Sequence, residues 1–233
     1  MSGTEPSEPQ ATPDDSRNGV VIEAVTIGLT TGAYAISFGA LSVAAGLSIW
    51  QTVALSTLMF TGASQFALVS VLAGGGAPLA AVASAGLLGM RNMFYGVRIR
   101  QILAPGRAMA LPTAQLTIDE STAMALAHYD RPVPRPALAF WSTGLSVFVL
   151  WNLGTVIGAL GAGAIGDPTR WGLDAAVPAA FLALLWPQIT SHRLLAVALI
   201  AAGLAIALTP VLAPGLPVLC AAVVPFFFLR RAA

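Results

Sequence analysis

Long apolar runs, separated by short breaks rich in glycine and proline, make up most of the chain after about residue 20. A helix that crosses a bilayer takes about 20 apolar residues at a rise of about 1.5 Å per residue. The runs are continuous, whereas the strands of a membrane barrel alternate in short segments. The pattern therefore predicts an all-α integral membrane protein, a bundle of about seven transmembrane helices. The predicted spans are residues 20–45, 50–73, 78–98, 137–162, 172–189, 194–212 and 215–230.

Residues 108–129 form an ambiguous segment, because they are only moderately apolar and contain the adjacent acids Asp119 and Glu120. The spacing of Thr117 and Glu120 fits a helix capping box. We therefore expect a short helix near residues 117–129 that is either cytoplasmic or re-entrant. A complete membrane crossing by this segment is the alternative.

The composition supports a membrane protein. The chain is 57% hydrophobic and 9% charged, whereas a soluble domain carries about 25% charged residues. Residues 1–18 are polar and are predicted to form a disordered tail without the features of a cleavable signal peptide. Residues 19–233 are then expected to form a single transmembrane helical domain. The net charge of +1 does not point to nucleic acid as a partner.

Few residues could support catalysis or metal binding. Cys220 is the single cysteine, and the two histidines, His128 and His192, lie far apart in sequence at span ends or in loops. A membrane serine protease would need a serine in a glycine-rich motif and a histidine on a facing helix. We therefore expect neither an enzyme nor a metal site nor a cofactor.

All the basic residues are arginine, and their positions predict a topology. If 108–129 does not cross and the N-terminus is outside, only Arg17 and Arg170 fall outside. The arginines that then fall on the cytoplasmic side are Arg98, Arg100, Arg107, Arg131, Arg135, Arg193, Arg230 and Arg231. The positive-inside rule therefore favours an external N-terminus and a cytoplasmic C-terminus. Three spans before the central segment and four after it would allow an inverted repeat.

Small residues recur at a spacing of about four in the first and fourth predicted spans. They are Gly28, Gly32, Ala35, Gly39, Gly154, Gly158 and Ala162. Such residues let helix backbones approach closely, so we interpret them mainly as packing positions, with flexible gating points as the alternative.

Polar side chains within the apolar spans are candidates for function, because they need a partner helix or a water-filled cavity. The second span contains Thr61–Gln65 near its middle. One interpretation is a broken helix in which Ser64 and Gln65 bind a polar substrate. The other is hydrogen bonding of these two side chains to a neighbouring helix. Asn152 lies in the middle of its span and also needs a partner.

Arg91 and Asn92 lie inside the third predicted span, with Arg91 about 10 Å from the span's cytoplasmic end. Arg91 either extends to the interface or pairs with an acid. The candidate acids are Asp119, Glu120, Asp174 and, less favoured, Glu23. Asp119 and Glu120 could carry a proton or contact an ammonium group, or they could start a solvated helix. Asp174 could instead be a surface N-cap.

Several of these residues form an ordered pattern that resembles the AzlC family of branched-chain amino acid permeases. The pattern comprises Gly39-Ala40-Leu41, Gly46-Leu47-Ser48, Phe60-Thr61-Gly62-Ala63-Ser64-Gln65-Phe66, Leu88-Gly89-Met90-Arg91-Asn92-Met93-Phe94-Tyr95-Gly96, Leu116-Thr117-Ile118-Asp119-Glu120-Ser121 and Asp174 with Pro178-Ala179-Ala180-Phe181. The resemblance runs from about residue 20 to residue 230. The chain departs from the family pattern at Gly89–Asn92, where histidine or tyrosine often follows the arginine, and by the insertion of Ile118.

The resemblance implies the large subunit of a bacterial inner-membrane exporter. Its expected partner is a small AzlD-type membrane subunit of about three helices, and its expected substrates are branched-chain amino acids and methionine, driven by the proton motive force. In such a transporter Ser64 and Gln65 would contact the amino and carboxylate groups, and Arg91 would face the carboxylate or pair with an acid. Asp119, Glu120 or Asp174 would carry the proton. A non-transporting scaffold or assembly subunit is the alternative function.

Overall fold

A computed structural model describes residues 16–130, 135–165 and 189–229, together with residues 170, 172, 175, 182, 185 and 186. Within these residues the chain is helical and has no strand, which confirms the predicted all-α class. The helices are α1 (Arg17–Ala44), α2 (Ile49–Leu58), α3 (Ala63–Ala73), α4 (Pro78–Leu103), α5 (Arg107–Gln115), α6 (Asp119–Ala127), α7 (Arg135–Ile165), α8 (His192–Leu208), α9 (Leu216–Ala221) and α10 (Val223–Leu229). Residues 1–15 of the predicted tail lie outside the described residues, and α1 begins at Arg17 after a cap by Ser16.

Two described helices, α1 and α7, are long and apolar enough to cross a membrane. Helix α4 has 26 residues, which is also sufficient length, although its arginines make it less apolar. The prediction of one span over 50–73 is wrong, because this segment divides into α2 with 10 residues and α3 with 11. Neither reaches the roughly 20 residues that a crossing takes. The predicted span 172–189 lies mostly outside the described residues.

Helices α1 and α7 lie side by side and run in the same direction. Gly28 lies against Ser146, and Gly39, further along α1, lies against Thr155 and Ala159, further along α7. The predicted role of the small residues in packing is confirmed at this seam, where a Cβ atom on several of the glycines would overlap the facing backbone. We call the end of the bundle at which α1 and α7 begin the first end, and the opposite end the second end.

Helices α2 and α3 form a hairpin that enters the bundle from the second end. Near that end the hydroxyls of Ser42 on α1 and Thr52 on α2 are 2.8 Å apart. Beyond the turn, Gln65 on α3 donates a 2.9 Å hydrogen bond to the carbonyl oxygen of Leu55, which lies 10 residues earlier. In one continuous helix these residues would be about 15 Å apart, so the chain reverses between them. We call α2 and α3 the first hairpin.

Helices α5 and α6 form a second hairpin, which enters from the first end. Helix α4 returns the chain from the second end to the first, passing Ser64 at Gly89 and reaching Tyr129 at Arg98. At the tip of the hairpin, Leu116 contacts α7 at Gly144. Helix α6 then runs back to the first end, where Met124 packs against the starts of α1 and α7. This geometry agrees with the re-entrant interpretation of 108–129 and not with a complete crossing.

The order of elements therefore repeats with inverted direction. A long helix and a hairpin (α1, α2–α3) are followed by a long helix of opposite direction and a hairpin from the opposite end (α4, α5–α6). Both tips are closed in the same way. The N–H of Gly62 donates to the Gln65 side chain at 3.0 Å, and the N–H of Ile118 donates to the Ser121 side chain at 3.1 Å. This repeated order has a different unit from the three-span repeat that the predicted spans would allow.

Of the last described helices, α9 packs against α4. The loop before α9 lies at the second end, where Gly215 contacts Val71 on α3 and Ala80 on α4. Arg193, at the start of α8, donates a hydrogen bond to the carbonyl oxygen of Phe228 on α10. Helix α8 therefore runs antiparallel to α9 and α10.

Candidate functional site

The tips of the two hairpins meet at a cavity in the middle of the bundle. The cavity has an empty volume of about 490 Å³ with its open mouth included. Helices α1 and α7 form its walls, and one hairpin tip closes it from each side. Its lining residues are Thr31, Tyr34, Phe60, Thr61, Gly62, Ala63, Ile118, Asp119, Glu120, Val147 and Trp151.

The first tip depends on Gly62 and Gln65. Gly62 has a φ of +58°, which favours glycine and lets the chain reverse. The fully buried Gln65 uses its oxygen to accept from the Gly62 N–H and its nitrogen to donate to Leu55. These bonds satisfy backbone groups that the break releases from helical pairing. The predicted break in the Thr61–Gln65 segment is thus confirmed, and the Gln65 side chain is engaged in building it.

Ser64 lies one residue before Gln65 and points toward α4. Its hydroxyl faces Gly89, where a Cβ atom would lie 3.4 Å away. The Ser64 hydroxyl is buried and has no hydrogen-bond partner among the described residues. Neither Ser64 nor Gln65 lines the cavity, whereas the preceding Thr61–Ala63 does. The sequence identified the correct segment, but the structure brings its earlier residues to the cavity.

The second tip contains an ion pair. The Arg91 guanidinium on α4 lies 2.5 Å from the Asp119 carboxylate at the start of α6. The two side chains are 29% and 22% exposed, so the pair is largely shielded from water. This pairing decides between the sequence interpretations, because Arg91 bonds one of its candidate acids and does not extend to the interface. Asn92 supports the same tip by donating to the carbonyl oxygen of Thr117 at 3.3 Å.

The start of α6 is capped by a different residue from the one predicted. Thr117 donates back to the carbonyl oxygen of Thr113 at 2.7 Å and does not cap α6. Ile118 is the N-cap residue, and the side chain that reaches its N–H is Ser121, not Glu120. Glu120 is therefore not held in a capping box and lines the cavity.

Charge at the second tip is not balanced. Asp119 and Glu120 occupy the first turn of α6, where the helix dipole favours negative charge. Arg91 compensates Asp119, and no described arginine lies within ion-pair distance of Glu120. When all three groups are ionised, their charges sum to −1, so the site suits a proton or an ammonium group.

Tyr34 and Trp151 are cavity residues that the sequence reasoning did not select. Trp151 is only 4% exposed, and its indole N–H has no partner among the described residues. Its neighbour Asn152 donates to the carbonyl oxygen of Phe148 at 2.8 Å and does not line the cavity. Asp174 lies outside the described residues. A tryptophan next to a polar residue in the middle of a span was the available signal, but interface tryptophans give the same signal.

Comparison with known proteins adds one match. A model of the family described as AzlC protein matches residues 26–165. The matched region contains α1 to α7 except for the start of α1, and therefore both hairpins and every cavity residue. No curated protein and no solved structure matches the chain.

Proposed function

The chain belongs to the AzlC family, and on that premise we propose that it is a membrane transporter subunit that exports branched-chain amino acids. The observation that supports transport is the cavity between two re-entrant hairpins. The hairpins enter from opposite ends of the bundle, so movement of either one would open the cavity toward its own end. In secondary transporters the substrate site usually lies near the membrane midplane, where broken helices meet.

Glu120 is the proton-carrying residue in this proposal. Asp119 is already paired with Arg91 at 2.5 Å, whereas Glu120 lines the cavity and has no ion pair with any arginine that the structure describes. A carboxyl group in such a position can exchange a proton with the cavity, as the acids of proton-driven transporters do. Export driven by the proton motive force needs such a group.

The orientation that we propose reverses the one expected from sequence. That expectation required residues 50–73 to cross the membrane, and the first hairpin does not. Once this crossing is removed, the described arginines at or near the first end are Arg17, Arg98, Arg100, Arg107 and Arg135. The positive-inside rule then favours a cytoplasmic first end and, with it, a cytoplasmic N-terminus.

Cysteine labelling of intact cells tests this orientation. In a Cys220→Ser background, Ala77→Cys places a thiol at the exposed start of α4 and Asp130→Cys places one at the exposed end of the second hairpin. A membrane-impermeant maleimide should label the first variant and leave the second unlabelled until the cells are permeabilised. The reverse labelling would restore the external N-terminus.

The small AzlD-type partner has a suitable surface on α4 and α5. Every residue of α5 from Arg107 to Pro112 is exposed, and α4 exposes the large apolar side chains Met93, Phe94 and Val97. A re-entrant segment at membrane depth needs cover from protein, because its turn and helix ends carry backbone groups that lipid cannot satisfy. We therefore place the partner's helices against this face.

Amino acid flux in proteoliposomes tests the function. The chain reconstituted with its small partner should transport leucine, isoleucine and valine against a gradient when a proton gradient is imposed, and the chain alone should not. Glu120→Gln should lower this transport by about tenfold or more, whereas Glu23→Gln, which removes an exposed carboxylate on α1, should stay within about twofold. No flux of any of these amino acids with both subunits present would favour a non-transporting scaffold.

A further inference from the structure

The two hairpin tips present opposite electrical character to the same cavity. The first tip is uncharged and begins α3, an 11-residue helix whose first-turn N–H groups lack helical acceptors. The partial positive charge of a helix N-terminus favours an anion there. The second tip carries Glu120, which has no arginine partner among the described residues, and so favours a cation.

Independent side chains beside the first tip also require an acceptor. Trp151 lines the cavity and is 96% buried, and its indole N–H, which can only donate, has no partner among the described residues. Thr61 lines the cavity at the same tip, and its hydroxyl is buried without a partner among the described residues. Buried donors are nearly always hydrogen-bonded in folded proteins, so water or a ligand in the cavity would supply the acceptor for these two.

Apolar side chains also line the cavity. They are Phe60 beside the first tip, Ile118 at the second tip and Val147 on α7. A ligand that spans the cavity thus meets donors at one side, a carboxylate at the other and hydrocarbon between them.

We propose that the cavity binds an α-amino acid as a zwitterion in one fixed orientation. The carboxylate lies against the start of α3 and accepts from Trp151 and Thr61, and the ammonium group lies against Glu120. The apolar side chain contacts Phe60 and Val147. This inference rests on the proposed function, since it specifies how the transported molecule is held.

In this orientation a single ligand contacts both hairpins. The carboxylate binds the hairpin that enters from the second end, and the ammonium group binds the hairpin that enters from the first end. An analogue that lacks either group would engage one hairpin only. Recognition of each half of the substrate can therefore be tested separately.

Binding of three related ligands to the purified complex provides the test. Leucine has both groups, 3-methylbutylamine lacks the carboxylate and any other carbonyl oxygen, and 4-methyl-2-oxopentanoate lacks the ammonium group. Glu120→Gln should weaken binding of leucine and the amine by about tenfold or more and should not weaken binding of the oxo acid. Trp151→Phe and Thr61→Val, tested separately, should weaken binding of leucine and the oxo acid and leave binding of the amine unchanged.

The outcomes separate this inference from the proposed function. Equal weakening of all three ligands, or the opposite pattern, would overturn the orientation while leucine binding by the unmodified complex still supported transport. An unmodified complex that binds none of the three would overturn both. Thermal unfolding of each variant verifies that the protein is folded, and Thr61→Val provides a second probe of the first tip if Trp151→Phe unfolds.

Discussion

A Gly158→Val variant should fail to accumulate as folded protein in the membrane. Gly158 lies on α7 where a Cβ atom would overlap the backbone of Ile36 and approach that of Ala40 on α1. Backbone atoms cannot move aside as a flexible side chain can, so α1 and α7 would have to separate along their whole seam. We expect a loss of about 3 kcal/mol or more in the free energy of unfolding.

Gly203→Val is the matched control for this variant. Gly203 lies in α8, and an added Cβ atom there has nothing within 4 Å. Its folded yield in detergent, measured by size-exclusion chromatography with fluorescence detection, should stay close to that of the unmodified protein. Equal yields for Gly158→Val and Gly203→Val would show that the seam tolerates separation.

The seam illustrates what the sequence predicted and what it left open. Gly28, Gly39, Gly154 and Gly158 were recognisable as packing positions because glycine at four-residue spacing has few other uses in a membrane helix. The spacing does not encode which helix lies opposite or whether the two run in the same direction. The parallel arrangement of α1 and α7 follows from the reversals in the segments between them.

The largest difference between the predicted and the observed fold lies at the first hairpin. Residues 50–73 are apolar almost throughout, and hydropathy alone cannot distinguish one crossing of about 20 residues from two half-crossings that reverse. The reversal depends on the positive φ of Gly62 and on the two hydrogen bonds of Gln65. This reversal inverts the direction of every later helix. The positive-inside rule then favours the opposite orientation of the chain in the membrane.

The candidate site was predictable in its charged part and in the break at Thr61–Gln65. Arg91, Asp119 and Glu120 were identifiable because ionised groups within apolar segments are rare and need partners. The places of the α3 backbone N–H groups and of the Tyr34 and Trp151 side chains in the site could be assigned only from the folded structure. Every residue except proline has a backbone donor, and aromatic residues are common in membrane helices, so neither is informative without the fold.

An Arg91→Ala variant should lose both stability and transport. Removing the guanidinium leaves the partly buried Asp119 carboxylate without its partner at 2.5 Å. A fully buried pair loses 3–5 kcal/mol in this way and an exposed pair at most about 1 kcal/mol, so we expect about 2 kcal/mol. Arg98→Ala removes an exposed arginine that stacks on Tyr129, and it should cost less than about 1 kcal/mol. Thermal unfolding of the two purified variants measures the difference.

The double variant Arg91→Ala/Asp119→Asn tests whether transport depends on the net charge of the site or on the Arg91–Asp119 ion pair. Arg91→Ala alone leaves two uncompensated acids at the second tip, and Asp119→Asn alone frees Arg91 to pair with Glu120 and block it. Each single variant should therefore lower transport by about tenfold or more. The double variant keeps the net charge of −1 on Glu120 and should recover the stability and part of the transport. If the double variant transports less than either single variant, transport depends on the ion pair itself and not on the charge balance around Glu120.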